Sequence, residues 1–103
     1  MTDLHTVSRA LADTFIDNFP QEATEVLEAA PVEEIAQLLR MQTAERGAHI
    51  LARISTALAS SVLKQLKADQ ASRILAAMDP IGAALLLRSL DQQTHNAILA
   101  KLD

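Results

Sequence analysis

Apolar positions recur in this sequence with a period of twelve residues. Read in blocks of twelve from Phe19, the chain gives seven blocks that fill residues 19–102 without a gap. The eighth position of each block is always aliphatic and the ninth is always leucine. The seven leucines are Leu27, Leu39, Leu51, Leu63, Leu75, Leu87 and Leu99. Positions 5, 8, 9 and 12 are spaced i, i+3, i+4 and i+7, which is one face of a helix, so each block predicts an amphipathic helix.

One continuous helix could not bury this stripe. Twelve residues turn a helix by about 1200°, so the stripe would drift by roughly 120° from one block to the next. Helix boundaries are also present at the block starts. Proline is favoured in the first turn of a helix, and Pro20, Pro31 and Pro80 stand at such positions. Plausible N-caps are Thr43, Ser55, Asp79 and Asp91. We therefore predict one helix of about ten residues per block with two-residue connections, stacked into an all-α solenoid or superhelix.

Residues 2–18 lie outside the repeat. Leu4, Val7, Leu11 and Phe15 are spaced as one longer amphipathic helix. We expect this helix to cover the first repeat as an N-terminal cap, so that residues 1–103 form a single domain.

Composition excludes several functional classes. The 103 residues are 50% hydrophobic and include no cysteine, which rules out disulfides and thiolate chemistry. A net charge of −4 and only two aromatic residues argue against binding to nucleic acid. The two glycines stand alone and cannot form a phosphate-binding loop. No local arrangement suggests a nucleophile, so we expect a protein that is not an enzyme.

No stretch approaches the ~18 apolar residues of a membrane span. The first residues also lack the basic start and apolar core of a signal peptide. We therefore expect a cytoplasmic domain that does not insert into the membrane.

Three segments carry a family resemblance. They are PVEEIAQLLR at residues 31–40, ASRILAAM at 71–78, and the Asp79-Pro80 pair that follows. Together with the repeat, they resemble the intracellular N-terminal domain of MgtE magnesium transporters over about four-fifths of the chain. The resemblance implies a right-handed superhelix and a non-enzymatic regulatory domain at the cytosolic face of the membrane. It implies Mg²⁺ sensing or gating through contacts with a CBS-type domain or the transporter's membrane domain, with no tightly bound cofactor and Mg²⁺ bound weakly at most.

The block that begins at Asp79 departs from this family. Families of this type often carry several acidic residues there, whereas Ile81, Gly82 and Leu85 occupy those positions in this chain. That departure favours an alternative, a protein-interaction scaffold similar to FliG or armadillo repeats without ion sensing. The chain contains no CBS pair, so an excised domain and a stand-alone relative both remain open.

Acidic residues are concentrated in the first half of the chain. Residues 1–51 carry a net charge of −6 and residues 52–103 a net charge of +2. Candidate Mg²⁺ ligands are Glu22, Glu25, Glu28 and Asp79, and candidate partner contacts are Glu33 and Glu34. One or two carboxylates per ion suffice for Mg²⁺, which usually keeps several waters. The alternative is a solvated helix face, in which Glu22 and Glu33 are favoured near helix N-termini.

Ile81 and Leu85 lie off the main stripe, four residues apart, and Leu58 is similarly placed. They form either a patch that docks a partner, including a second copy in a homodimer, or a face that the curvature of the superhelix buries. Asp91 and His95 are spaced i, i+4 and could share an ion, although two ligands make a poor site. Gly47 stands at a stripe position, where it would permit close helix packing.

Overall fold

The computed structural model describes residues 17–102, which contain seven α-helices between residues 20 and 102 and no β-strand. The helices are α1 (Pro20–Ala29), α2 (Val32–Arg40), α3 (Ala44–Arg53), α4 (Thr56–Gln65), α5 (Ala68–Ala77), α6 (Pro80–Ser89) and α7 (Gln92–Leu102). Successive helices begin twelve residues apart. The prediction of an all-α chain is confirmed, and the predicted capping helix at 2–18 lies almost wholly outside the described residues.

Side-chain caps fix the start of four helices. The hydroxyl of Ser55 accepts a hydrogen bond from the Leu58 N–H at 3.2 Å, and the Asp79 carboxylate accepts from Ile81 and Gly82 at 3.2 Å each. Thr43 and Asp91 cap α3 and α7 in the same way. Each cap satisfies a backbone donor that the first turn leaves unpaired. All four predicted N-caps are confirmed.

Pro20 and Pro80 are the first residues of α1 and α6, as predicted. The prediction for Pro31 is wrong by one residue, because α2 begins at Val32 and Pro31 is its N-cap. Pro31 has a ψ of 145°, which is extended rather than helical. Its carbonyl still accepts hydrogen bonds from Glu34 and Ile35, so the ring ends the preceding connection without costing α2 a backbone bond.

The helices pack chiefly against their second neighbours in the chain. The most extensive contacts join α5 with α7, α2 with α4, α3 with α5, and α4 with α6. One hydrophobic cluster runs through these pairs from α2 to α7. Its largest fully buried side chains are Ile35, Leu39, Ile50, Leu63, Ile74, Ile98 and Val62. The predicted stripe therefore supplies the core in the interior blocks.

Two apolar positions of the repeat, one in the first block and one in the last, are exposed rather than buried. Val26 in α1 and Leu99 in α7 are exposed, at 59% and 45%, although the repeat predicts that both point inward. Among the described helices, α1 has no extensive contact with another, and α7 packs extensively only on α5. A periodic pattern tells which face turns toward neighbours, but burial needs a neighbour on that side.

Gly47 lies where α3 packs closely against Ile74 of α5. A Cβ at this position would lie 3.1 Å from Cδ1 and 3.2 Å from Cγ1 of Ile74. Those distances are shorter than ordinary carbon contacts of about 3.5–4.0 Å. The interpretation that Gly47 permits close helix packing is confirmed. By contrast, a Cβ at Gly82 would meet only Met78 Cε, at 3.6 Å.

Candidate functional site

The three glutamates of α1, Glu22, Glu25 and Glu28, differ in their contacts. Glu22 and Glu25 are exposed, and the described residues give neither of them an ion pair. Glu28, also exposed, accepts a hydrogen bond from the Ser55 backbone N–H at 2.5 Å and one from its hydroxyl at 3.4 Å. Glu28 therefore fastens α1 to the N-cap of α4, a contact across 27 residues that the spacing of the stripe does not indicate.

We predict that Glu28→Ala lowers the free energy of unfolding by about 1 kcal/mol, since it removes a hydrogen bond between a carboxylate and a backbone donor. Glu25→Ala is the matched control, because both residues are exposed glutamates of α1. The control should change stability by less than about 0.5 kcal/mol. Urea denaturation followed by circular dichroism measures both, and equal effects would contradict the assigned role of Glu28.

The other Mg²⁺ candidates do not gather into a cluster. Within residues 17–102, no group of three or more acidic or histidine side chains could hold a metal ion. Asp79 caps α6, while Glu33 and Glu34 are exposed in the first turn of α2. Their assignment as ion ligands or partner contacts stays a prediction.

Asp91 and His95 both have structural partners. The hydroxyl of Thr94 donates to Asp91 at 2.7 Å and its N–H donates at 3.1 Å, and these bonds lower the pKa of Asp91. Lys64 lies 3.7 Å from the same carboxylate and lowers the pKa further. His95 is part-buried, with Nδ1 2.9 Å from the Leu87 carbonyl oxygen. These contacts account for both side chains without an ion.

A groove of about 550 Å³ lies between α3, the first residue of α4, the C-terminus of α5 and the first seven residues of α6. Its apolar lining comprises Ala48, Leu51, Ala52, Ile54, Ala77, Met78, Gly82, Leu85 and Leu86. The remaining lining residues are Glu45, His49, Thr56 and Asp79. The twelve-residue pattern does not indicate this groove, although Gly82 and the off-stripe Leu85 are signals in the sequence that point to it.

The two off-stripe residues of α6 are open to solvent. Ile81 is 72% exposed and Leu85 is 52% exposed, so the alternative in which curvature buries them is wrong. Leu58 differs, because it is half-buried and packs against the core. The serine hydroxyls of Ser60 and Ser89 contact each other and join α4 to the end of α6. On α6, the exposed Ile81 and Leu85 therefore form an apolar surface beside the groove.

Comparison with known proteins identifies a family. None of the helices within residues 17–102 combines the length and apolar character that crossing a membrane requires. Neither curated proteins nor solved structures gave a match. Residues 18–103 match the family described as the MgtE intracellular N domain, which is not a catalytic family. Because the match spans more than half of the chain, the chain belongs to the MgtE intracellular N domain family.

Proposed function

We propose that this chain is the cytosolic regulatory domain of an MgtE-type magnesium transporter. It acts without catalysis, by docking on a neighbouring CBS-type domain or on the transporter's membrane domain. The observation that carries this proposal is the family match, which covers all but the first of the described residues.

The seven helices wind, in this proposal, as a right-handed superhelix with one helix per twelve residues. Two observations support it. Helix starts are spaced by twelve residues, and the extensive contacts join second neighbours along the chain. In such an array each helix depends on its neighbours for burial, so the surfaces of the array form a continuous face for a partner.

The proposed ion-dependent surface consists of four glutamates on α1 and α2. They are Glu22, Glu25, Glu33 and Glu34. All four are exposed, and none has an ion pair among residues 17–102. Like charges on one surface oppose docking to another acidic surface, and a divalent cation between the surfaces removes that opposition.

The described residues do not by themselves make a complete Mg²⁺ site. The described part holds no group of three potential ligands, and Mg²⁺ requires six oxygen ligands in octahedral geometry. Alone, this chain would hold Mg²⁺ weakly through one or two carboxylates and water, and the neighbouring domain would supply further ligands in the docked state. Mg²⁺ can favour docking only by binding the docked state more tightly than the undocked state.

A binding experiment tests this proposal. The CBS-type domain of an MgtE-type transporter is titrated with this chain at low and at high Mg²⁺. We expect binding to tighten by about tenfold, equivalent to about 1.4 kcal/mol, at high Mg²⁺. The double variant Glu22→Gln/Glu25→Gln should lose this gain, and the control Asp69→Asn on α5 should keep it. Equal affinity at low and high Mg²⁺ for the unmodified chain, the double variant and the control would contradict the ion-dependent mechanism.

The second candidate is an interaction scaffold without ion sensing. Two observations favour it: Ile81 and Leu85 are exposed, and they lie beside an apolar groove. This candidate predicts partner binding that depends on α6 and not on Mg²⁺, so the same titration separates the two functions.

A further inference from the structure

We propose that α6 and its adjoining groove form a self-complementary surface, through which two copies of this chain associate about a two-fold axis. Ile81 and Leu85 of each copy pack against the groove of the other copy. This inference is independent of the proposed regulatory function, because it uses a different face from the glutamates of α1 and α2.

The projecting part of the surface is apolar and regular. Ile81 and Leu85 are spaced i, i+4, so they project from the same side of α6. Single exposed apolar residues are normal in soluble proteins. Two large ones next to an apolar groove form a patch of the kind that marks an interaction site.

The receiving part of the surface has room because its residues are small. Ala48 and Ala52 on α3, with Ala77 on α5 and Gly82 on α6, line the groove with short side chains or none. A Cβ at Gly82 would make only ordinary contact with Met78, so the space at this glycine is open rather than filled by a neighbour. An amphipathic helix enters such a groove through apolar residues on one side, and Ile81 and Leu85 supply an i, i+4 pair of this kind.

The charges on α6 and in the groove indicate that the groove binds α6 of a second copy of this chain. Arg88 follows Leu85 by three residues on the same side of α6 and is exposed. Glu45 and Asp79 line the groove, and the described residues give neither of them, nor Arg88, an ion pair. Two apolar residues followed by a basic residue along α6 therefore complement a groove whose lining is mainly apolar and includes two acidic residues.

A two-fold axis satisfies both copies at once. The projecting residues and the groove belong to the same region, and Leu85 is part of both. An isologous contact of this kind closes at the dimer, whereas a head-to-tail contact would leave one groove free and continue into a chain. A contact formed by two or three short helices is small, so we expect a dimer that depends on concentration.

Sedimentation equilibrium of the full chain, from about 1 μM to about 1 mM, tests the inference. We expect reversible dimerisation, weakened about tenfold or more by Leu85→Glu. Arg88→Glu should weaken it as well, and adding Glu45→Arg to that variant should restore it. Gly82→Leu should also prevent dimerisation, because the new side chain occupies the groove.

Circular dichroism and thermal unfolding check that each variant is folded. If Leu85→Glu unfolds, Gly82→Leu still tests whether the groove is needed for dimerisation. Arg88→Glu, alone and combined with Glu45→Arg, tests the charge pairing. A chain that stays monomeric throughout the range overturns the inference, and so does a dimer that none of the variants weakens. Failure here leaves the Mg²⁺-dependent binding of a CBS-type domain unaffected, so the two proposals fail separately.

Discussion

Replacing Ile74 by alanine should lower the free energy of unfolding by about 2–5 kcal/mol. Ile74 is 1% exposed in α5, and its Cδ1 and Cγ1 fill the space left by Gly47 of α3. Truncation removes buried apolar surface and leaves a cavity between two helices that cannot close fully. Since a domain of this size has about 5–15 kcal/mol of total stability, the loss is a large part of it.

Ile81→Ala is the matched control for this prediction, because the same three carbon atoms are removed from an exposed isoleucine. Its effect should stay within about 0.5 kcal/mol. Both variants are measured by urea denaturation at a protein concentration low enough to keep the chain monomeric. Similar losses for the two variants would contradict the assigned packing of α3 against α5.

Replacing Gly47 by leucine should destabilise the chain by about 1–3 kcal/mol or more, since overpacking forces side chains and backbone to move. The Cβ alone would lie 3.1 Å from Ile74 Cδ1 and 3.6 Å from Leu39 Cδ2, so these neighbours leave little space for the rest of the side chain. The two helices would have to separate, which weakens the extensive contact between α3 and α5.

Gly82→Leu provides the comparison for that variant. Gly82 is also helical, but its Cβ would meet only Met78 at an ordinary distance. Leucine has a higher helix propensity than glycine by about 1 kcal/mol, so stability should stay level or rise. Thermal unfolding of both variants measures the difference. A loss of stability in Gly82→Leu as large as that in Gly47→Leu would show that the space beside Gly82 is not open.

Much of the secondary structure could be predicted because its signals are local. Ser55 and Asp79 bond to N–H groups two or three residues ahead, so a cap can be read from a few neighbouring residues. Pro31 shows the limit of this reasoning. The ring fixes φ but leaves ψ free, and an extended ψ moved the helix start by one residue.

Burial at the ends of the array and contacts between distant segments could not be predicted. Val26 fits the repeat in sequence and is nevertheless exposed, because α1 has no extensive contact with another described helix. The repeat itself does not show which helices have a neighbour. The bond from Ser55 to Glu28 spans 27 residues and depends on how α1 approaches α4. A stripe of glutamates therefore predicted a charged surface correctly without revealing that one member has a structural partner.

The off-stripe residues of α6 gave a partial prediction of the site. Their spacing placed Ile81 and Leu85 on one side of a helix, but burial and exposure were equally compatible with that spacing. The orientation of α6 against α4 decides between them, and it results from packing across many residues. The groove could not be predicted for the same reason, since residues of four helices line it.

A Mg²⁺ titration of the chain, followed by amide NMR with Ca²⁺ and Na⁺ controls, tests the regulatory role most directly. We expect weak, saturable shifts that cluster at Glu22 and Glu25, exceed those caused by the same ionic strength of Na⁺, and disappear in Glu22→Gln/Glu25→Gln. Shifts equal to those in Na⁺ at every amide would contradict it, because the acidic surface of α1 would then have no affinity of its own for the ion.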